Sequence, residues 1–216
     1  MSGTRGNELR SRVFARFYDR VLAPTEEAGL GEMRRDLLSR AGGRTLEIGA
    51  GTGVNLDHYP EGIDSLVLTE PDRHMAAKLR ARLASKPRDA FFEVVQVPAE
   101  SLPFPDASFD TVVCTLVLCT VPDPEATLAE VSRVLKPGGR LLFIEHVLGD
   151  GGTARWQRAL ARPWAAVACG CRCDRTTAET IAASPLVLEV VQAGRMPKAA
   201  KIIKPMIHGC AVRPAA

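Results

Sequence analysis

The chain has 216 residues, 46% of them hydrophobic and 25% charged, which is enough for one sizeable core and excludes a disordered or fibrous polymer. A net charge of +3 is too mild a basic bias to argue for a nucleic-acid partner. No run approaches the ~18 apolar residues that span a bilayer, and the opening MSGTRGNELRSR lacks the apolar centre of a signal peptide, so a cytoplasmic protein without a membrane anchor is expected.

In chain order, residues 8–22 place Val13, Phe14, Phe17, Tyr18, Val21 and Leu22 at helical spacing. That predicts a helix packed on the body of the protein and ended by Pro24. Residues 25–41 read as a second helix closed by Gly42-Gly43. Residues 1–43 are thus expected to form a helical cap over an active site built by residues 44–216. Beyond residue 43, short apolar runs at 45–48, 65–69, 91–97, 111–116, 140–147, 186–191 and 207–212 alternate with helical stretches at 54–60, 71–86, 124–135, 153–168 and 175–184. The alternation predicts an α/β, Rossmann-like fold: a seven-stranded, mostly parallel sheet with helices on both faces. Only a loop bearing Arg195, Lys198, Lys201 and Lys204 joins the last two runs. It is too short for a crossover helix, so a C-terminal antiparallel hairpin is expected at the sheet edge. The basic loop reads as a solvated face, with contact to an acidic ligand or a membrane surface as the alternative.

The segment Leu46-Glu47-Ile48-Gly49-Ala50-Gly51-Thr52-Gly53 carries the chemistry. A strand ends there, and glycines at alternate positions let the chain turn tightly beneath a ligand. Open α/β sheets bind ligands beyond the carboxyl ends of their strands, where strand order reverses. A dinucleotide fingerprint needs Gly-x-Gly-x-x-Gly against a pyrophosphate, but Val54 stands where its last glycine would be. Glu47 would repel a pyrophosphate and attract a cationic ligand. S-adenosylmethionine (SAM), with an ammonium, a sulfonium and no phosphate, is therefore preferred to NAD. Glu70, at the end of the second strand, is placed to accept hydrogen bonds from ribose hydroxyls.

These residues, with Pro98-Ala99-Glu100-Ser101-Leu102-Pro103-Phe104, Ser108-Phe109-Asp110 and Leu135-Lys136-Pro137-Gly138-Gly139, resemble the class I SAM-dependent methyltransferases over about residues 44–148. The resemblance implies a cofactor site of Glu47, Gly49, Gly51, Gly53, Glu70 and Pro71, with Ala99 and Glu100 beside the adenine and Thr115 and Leu116 bordering the methionine part. Many members have Asp where this chain has Pro98, and Glu100 is the substitute acceptor on offer. A narrower likeness is to the methyltransferase-like alkyl-thiol methyltransferases. It rests on Val113 to Cys119, Val121, Glu145-His146-Val147, Trp156, Pro163-Trp164, Gly170-Cys171, Arg175, Thr177, Gly209, Ala211-Val212 and Phe17-Tyr18. That group carries a membrane-inserting apolar N-terminus, and the opening residues of this sequence lead to no such anchor being expected.

His146 is the candidate catalytic residue, at the carboxyl end of the fifth strand, orienting the acceptor or taking its proton. Tyr18, Trp156 and Trp164 are candidates for the acceptor pocket, the two tryptophans on the expectation that they share a helix face. Cys169, Cys171 and Cys173 lack zinc-site spacing and have no histidine near them along the chain, so no metal is expected. Cys119, Cys171 and Cys173 read as buried apolar residues. The expected function is methyl transfer to a small molecule, with a thiol as the preferred acceptor class, by a monomer or homodimer. An O-, N- or C-methyltransferase of a quinone, phenol or lipid is the rival, and a SAM-binding protein without turnover is the different class.

Overall fold

The computed structural model describes residues 5–86 and 92–215. The first helix, α1 (Arg5–Thr25), runs without interruption past the expected stop at Pro24, which sits in its last turn. The chain continues through one π-helical turn (Glu26–Leu30) into α2 (Gly31–Leu38). The kink falls at Gly29, whose φ of +134° is open to glycine alone.

β1 (Arg44–Ile48), β2 (Ser65–Thr69), β3 (Phe92–Val95), β4 (Phe109–Thr115) and β5 (Leu135–His146) are mutually parallel, and two later strands, β6 (Val187–Arg195) and β7 (Pro205–Val212), complete one sheet in the order β3-β2-β1-β4-β5-β7-β6. β7 is antiparallel to both β5 and β6, so the expected hairpin forms with β6 at the edge. The expected third strand from residue 91 begins at a residue outside those described. Helices α3 (Arg73–Ala84), α4 (Pro124–Val134), α5 (Gly151–Val167) and α6 (Thr177–Ala182) connect the strands. The stretch expected to be helical at 54–60 is only a 3-10 turn, Val54–Asp57.

Successive strand residues face opposite ways, and this sorts the helices. Val112 faces Leu128 and Val131 of α4 and Ile181 of α6. Val113, Leu142 and Ile144 face Leu37 and Leu38 of α2, while Leu66 and Leu68 meet Leu79 of α3. Both faces are thus covered, and all six of these strand residues are buried. Asp72 and Asp123 cap the starts of α3 and α4 by accepting backbone N–H bonds.

The chain leaves β1 towards β2 and β3 on one side and resumes at β4 on the other, so β1 and β4 flank the switch point. α1 lies over this end. Its apolar stripe is only partly covered, contrary to the expectation that all of it packs: Phe14 and Tyr18 are half-buried, whereas Val13 (47% exposed), Phe17 (44%) and Val21 (75%), which face the same cavity, remain open to solvent. A single helix can seat only one strip of its circumference on a body it crosses. Among the described residues, no helix is long and apolar enough to cross a membrane.

Candidate functional site

The turn after β1 needs glycine for three separate reasons. Gly49, Gly51 and Gly53 all take positive φ (+62°, +59° and +83°). A Cβ on Gly49 would lie 2.8 Å from Val117, and one on Gly53 would lie 2.7 Å from Leu79 of α3 and 2.8 Å from Leu56. A Cβ on Gly51 would meet only Met75, at 3.7 Å. Gly49 therefore admits the loop after β4, Gly53 admits α3, and Gly51 keeps open the floor of a cavity.

That cavity has a volume of about 580 Å³ and is lined by Gly49, Gly51, Glu70, Pro71, Ala99, Glu100, Thr115 and Leu116 together with Met75 and Pro98. Eight of the ten expected cofactor residues thus converge on it; Glu47 and Gly53 do not line it. Glu70 Oε2 accepts from Gly51 N at 2.8 Å and Oε1 from Asp72 N at 2.8 Å. Each oxygen retains a lone pair for a further donor.

Glu47 lies beneath the turn. Its oxygens accept from Asn55 Nδ2 (2.9 Å) and the Tyr59 hydroxyl (2.8 Å), and Arg34 donates to Asn55 Oδ1 and Thr115 Oγ1 at 2.9 Å each. Of this network, Thr115 alone lines the cavity. Glu47 thus stands behind the cavity wall and is joined to it through Asn55, whose Nδ2 donates both to Glu47 and to Thr115 Oγ1. Burial pushes the Glu47 carboxyl up to about 7 against the pull of Tyr59 and Asn55.

A stability prediction follows from that shift. Because the folded pKa exceeds the unfolded value, the contribution is complete below about pH 4.5 and is lost as pH rises through 7. Glu47 alone should remove up to about 3 kcal/mol of wild-type stability between pH 4.5 and 8. Urea unfolding of Glu47→Gln across this range should show that part of the slope gone. Parallel profiles for the two proteins would refute the assignment.

A second cavity of about 800 Å³ adjoins the first, and Phe14, Tyr18, Leu116 and Thr120 line both. Leu116 holds the shared wall at φ +62°, a conformation that a non-glycine residue keeps only where its surroundings impose it. Leu22, Phe17, Val167 and Ile203 make the second cavity largely apolar, and Trp164 closes one side. Trp156 does not join it and is 66% exposed. Eight residues make 2.2 turns, which leaves the two indoles about 80° apart around α5 rather than on one face. Of the basic loop, Lys198 lines this cavity, while Arg195, Lys201 and Lys204 line another beside Asp150.

His146 ends β5 at the polar end of the apolar cavity and is 7% exposed. Its Nδ1 lies 3.8 Å from Cys119 Sγ and 3.6 Å from Cys171 Sγ, and the two sulfurs are 3.9 Å apart. The histidine missing from the neighbourhood of Cys171 along the chain is thus supplied by folding, and the three groups form one buried cluster. The contact between the sulfurs pushes the Cys119 thiol up to about 12 and the Cys171 thiol down.

Glu145, the neighbour of His146 on β5, serves the loop after β4. Fully buried, it accepts from Val117 N (2.9 Å), Leu118 N (2.8 Å) and Cys119 N (3.0 Å), fixing the loop that carries Leu116 and Cys119. Arg175 ties the same loop by donating to the Leu118 and Val121 carbonyls. The alternation Glu145-His146 at a strand end was the available signal: one side chain had to face the loop if the other faced the cavity.

A methyltransferase-domain family model matches residues 46–143. Human thiol S-methyltransferase TMT1B is 36% identical over 168 residues, covering 73% of this chain and 68% of that protein. Human thiol S-methyltransferase TMT1A is 36% identical over 174 residues, covering 78% and 70%. A Thermotoga maritima SAM-dependent methyltransferase, described as a possible histamine N-methyltransferase, superposes with a TM-score of 0.67 over 94% of this chain and 98% of that one; at 24% identity it is a likeness of fold.

Proposed function

Since the chain belongs to the SAM-dependent methyltransferases, we propose that it methylates the thiol of an apolar small molecule by direct in-line displacement. The observation that carries this reading is the pair of adjoining cavities, one floored by the glycine turn and the other apolar, with thiols and an imidazole close to their common wall. Both human relatives cited above are thiol methyltransferases, which supports sulfur as the acceptor atom.

SAM supplies a methyl group on a cationic sulfur. Glu70 accepts from the ribose hydroxyls, Pro71, Ala99 and Glu100 flank the adenine, and Gly49, Gly51, Thr115 and Leu116 border the methionine part. Glu47 and Gly53 support the turn from behind. Tyr18 and Trp164 confine the acceptor, and most of the acceleration comes from holding its nucleophile in line with the methyl group. His146 orients the acceptor or takes its proton. The segment expected as the cap, described from residue 5 to residue 43, serves as one, because α1 brings Phe14 and Tyr18 to both cavities at once. A reducing cytoplasm suits a chain whose six cysteines are all free and mostly buried.

The test is a transfer screen with methyl-labelled SAM over acceptors grouped as thiols, phenols, amines and carbon acids. Thiols of apolar chain should turn over fastest at pH 7–8. Faster turnover of a phenol, amine or quinone would replace the thiol reading.

A further inference from the structure

We propose that Cys119, His146 and Cys171 bind one zinc-type divalent cation whose fourth coordination position opens into the apolar cavity and takes the acceptor thiolate. The role of the fourth position rests on the thiol reading above; the metal site itself does not.

The geometry is that of a tetrahedral face. With zinc–sulfur bonds of about 2.3 Å and a zinc–nitrogen bond of about 2.0–2.1 Å, a tetrahedron has S···S edges of roughly 3.8 Å and S···N edges of roughly 3.6 Å. The three separations here are 3.9, 3.8 and 3.6 Å. The ring's other nitrogen, Nε2, lies 3.2 Å from Met196 Sδ, an atom with no hydrogen to donate. A ring proton on Nε2 suits that contact and leaves the Nδ1 lone pair for the side that carries both sulfurs.

The donors are also held in place beforehand. Glu145 fixes the backbone of Cys119, and Arg172 N donates to the Cys119 carbonyl at 2.6 Å, which clamps the two cysteine-bearing segments together. All three donors are buried, yet all three line the apolar cavity. Three protein ligands with one open position is the pattern of a catalytic zinc site, and two thiolates with an imidazole suit zinc.

Such a site answers a difficulty in the reaction. An alkyl thiol ionises near 8.5 in water, and an apolar cavity disfavours its thiolate further. Coordination removes the proton at neutral pH. The acceptor's S–H proton leaves to solvent as sulfur binds the cation. A sulfur lone pair then forms the new S–CH3 bond, while the old bond from methyl to the donor sulfur breaks and its electron pair stays on that sulfur. Zinc keeps its oxidation state, and the neutral thioether is a poorer ligand that leaves. His146 is in this case a ligand rather than a proton carrier.

The experiment is cobalt(II) titration of the full chain, stripped of metal and kept reduced with a phosphine. One equivalent should bind, with the sulfur-to-cobalt charge transfer and intense visible bands of a tetrahedral thiolate site, and zinc should abolish them. Cys119→Ser, Cys171→Ser and His146→Ala should each weaken binding at least about tenfold, whereas Cys210→Ser should not. Binding of S-adenosylhomocysteine by each variant checks that it has folded. Adding an alkyl thiol should shift the visible bands. Absence of a stoichiometric site, or bands that persist in folded Cys119→Ser, overturns the proposal whatever the transfer screen returns. A stoichiometric site whose bands ignore alkyl thiols, in a protein that methylates oxygen or nitrogen acceptors, overturns the thiol reading and the role given to the fourth position.

Discussion

Gly51→Arg is expected to raise the dissociation constant for SAM at least ~100-fold, equivalent to about 2.7 kcal/mol. Three effects act together. A side chain at φ +59° carries left-handed strain of roughly 1–2 kcal/mol. The space above Gly51 is the cavity itself, since only Met75 lies within reach of a Cβ there, so the arginine would occupy ligand volume. Its charge would oppose a cationic ligand and would attract Glu70, whose Oε2 now accepts from Gly51 N. Gly51→Ala isolates the strain, because a methyl group fits at 3.7 Å from Met75, and should weaken binding by only about tenfold. Calorimetry on both folded variants decides the matter: affinity unchanged in Gly51→Arg would remove the glycine cavity as the cofactor site.

His146→Ala should lower thiol turnover by about 10²–10⁴-fold, the usual worth of assisting the acceptor's proton loss, whether His146 takes the proton or holds the cation that displaces it. SAM affinity should stay within about twofold of wild type. The separation of effects follows from placement, since His146 lines the apolar cavity and not the one floored by Gly51. The pH profile adds a second readout. A group needed to strip the acceptor's proton matters less once the acceptor ionises by itself, so the deficit of His146→Ala should shrink as pH rises past about 8.5. Wild-type rates in the variant from pH 6 to 9 would exclude His146 from the reaction. A matching loss of SAM affinity would mean that the substitution had damaged the fold instead.

Two residues expected at the cavities lie off their walls for the same kind of reason. Trp156 was paired with Trp164 on spacing alone, and the real angular offset on α5 leaves it outside the cavity. Glu47 was given a direct electrostatic role because it precedes the glycine turn. Alternation along β1 instead sends its carboxylate to the side where Asn55 and Tyr59 wait, neither of them signalled by the motif. In each case the residue's type and its place in the chain were read correctly, and only its direction was missed.

What the amino-acid order determined by itself was local and periodic: seven strand runs, the helices between them, and the glycine turn with Glu70 beyond the next strand. These follow from alternation, from helical spacing and from glycine's access to positive φ, all of which act over a few residues. Tertiary structure alone decided which distant groups meet. Cys119 and Cys171 stand 27 and 25 residues from His146, and no spacing rule links them. They converge because parallel strands deliver their carboxyl ends to one edge of the sheet, where Glu145 and Arg175 pin the loop after β4 against the segment after α5.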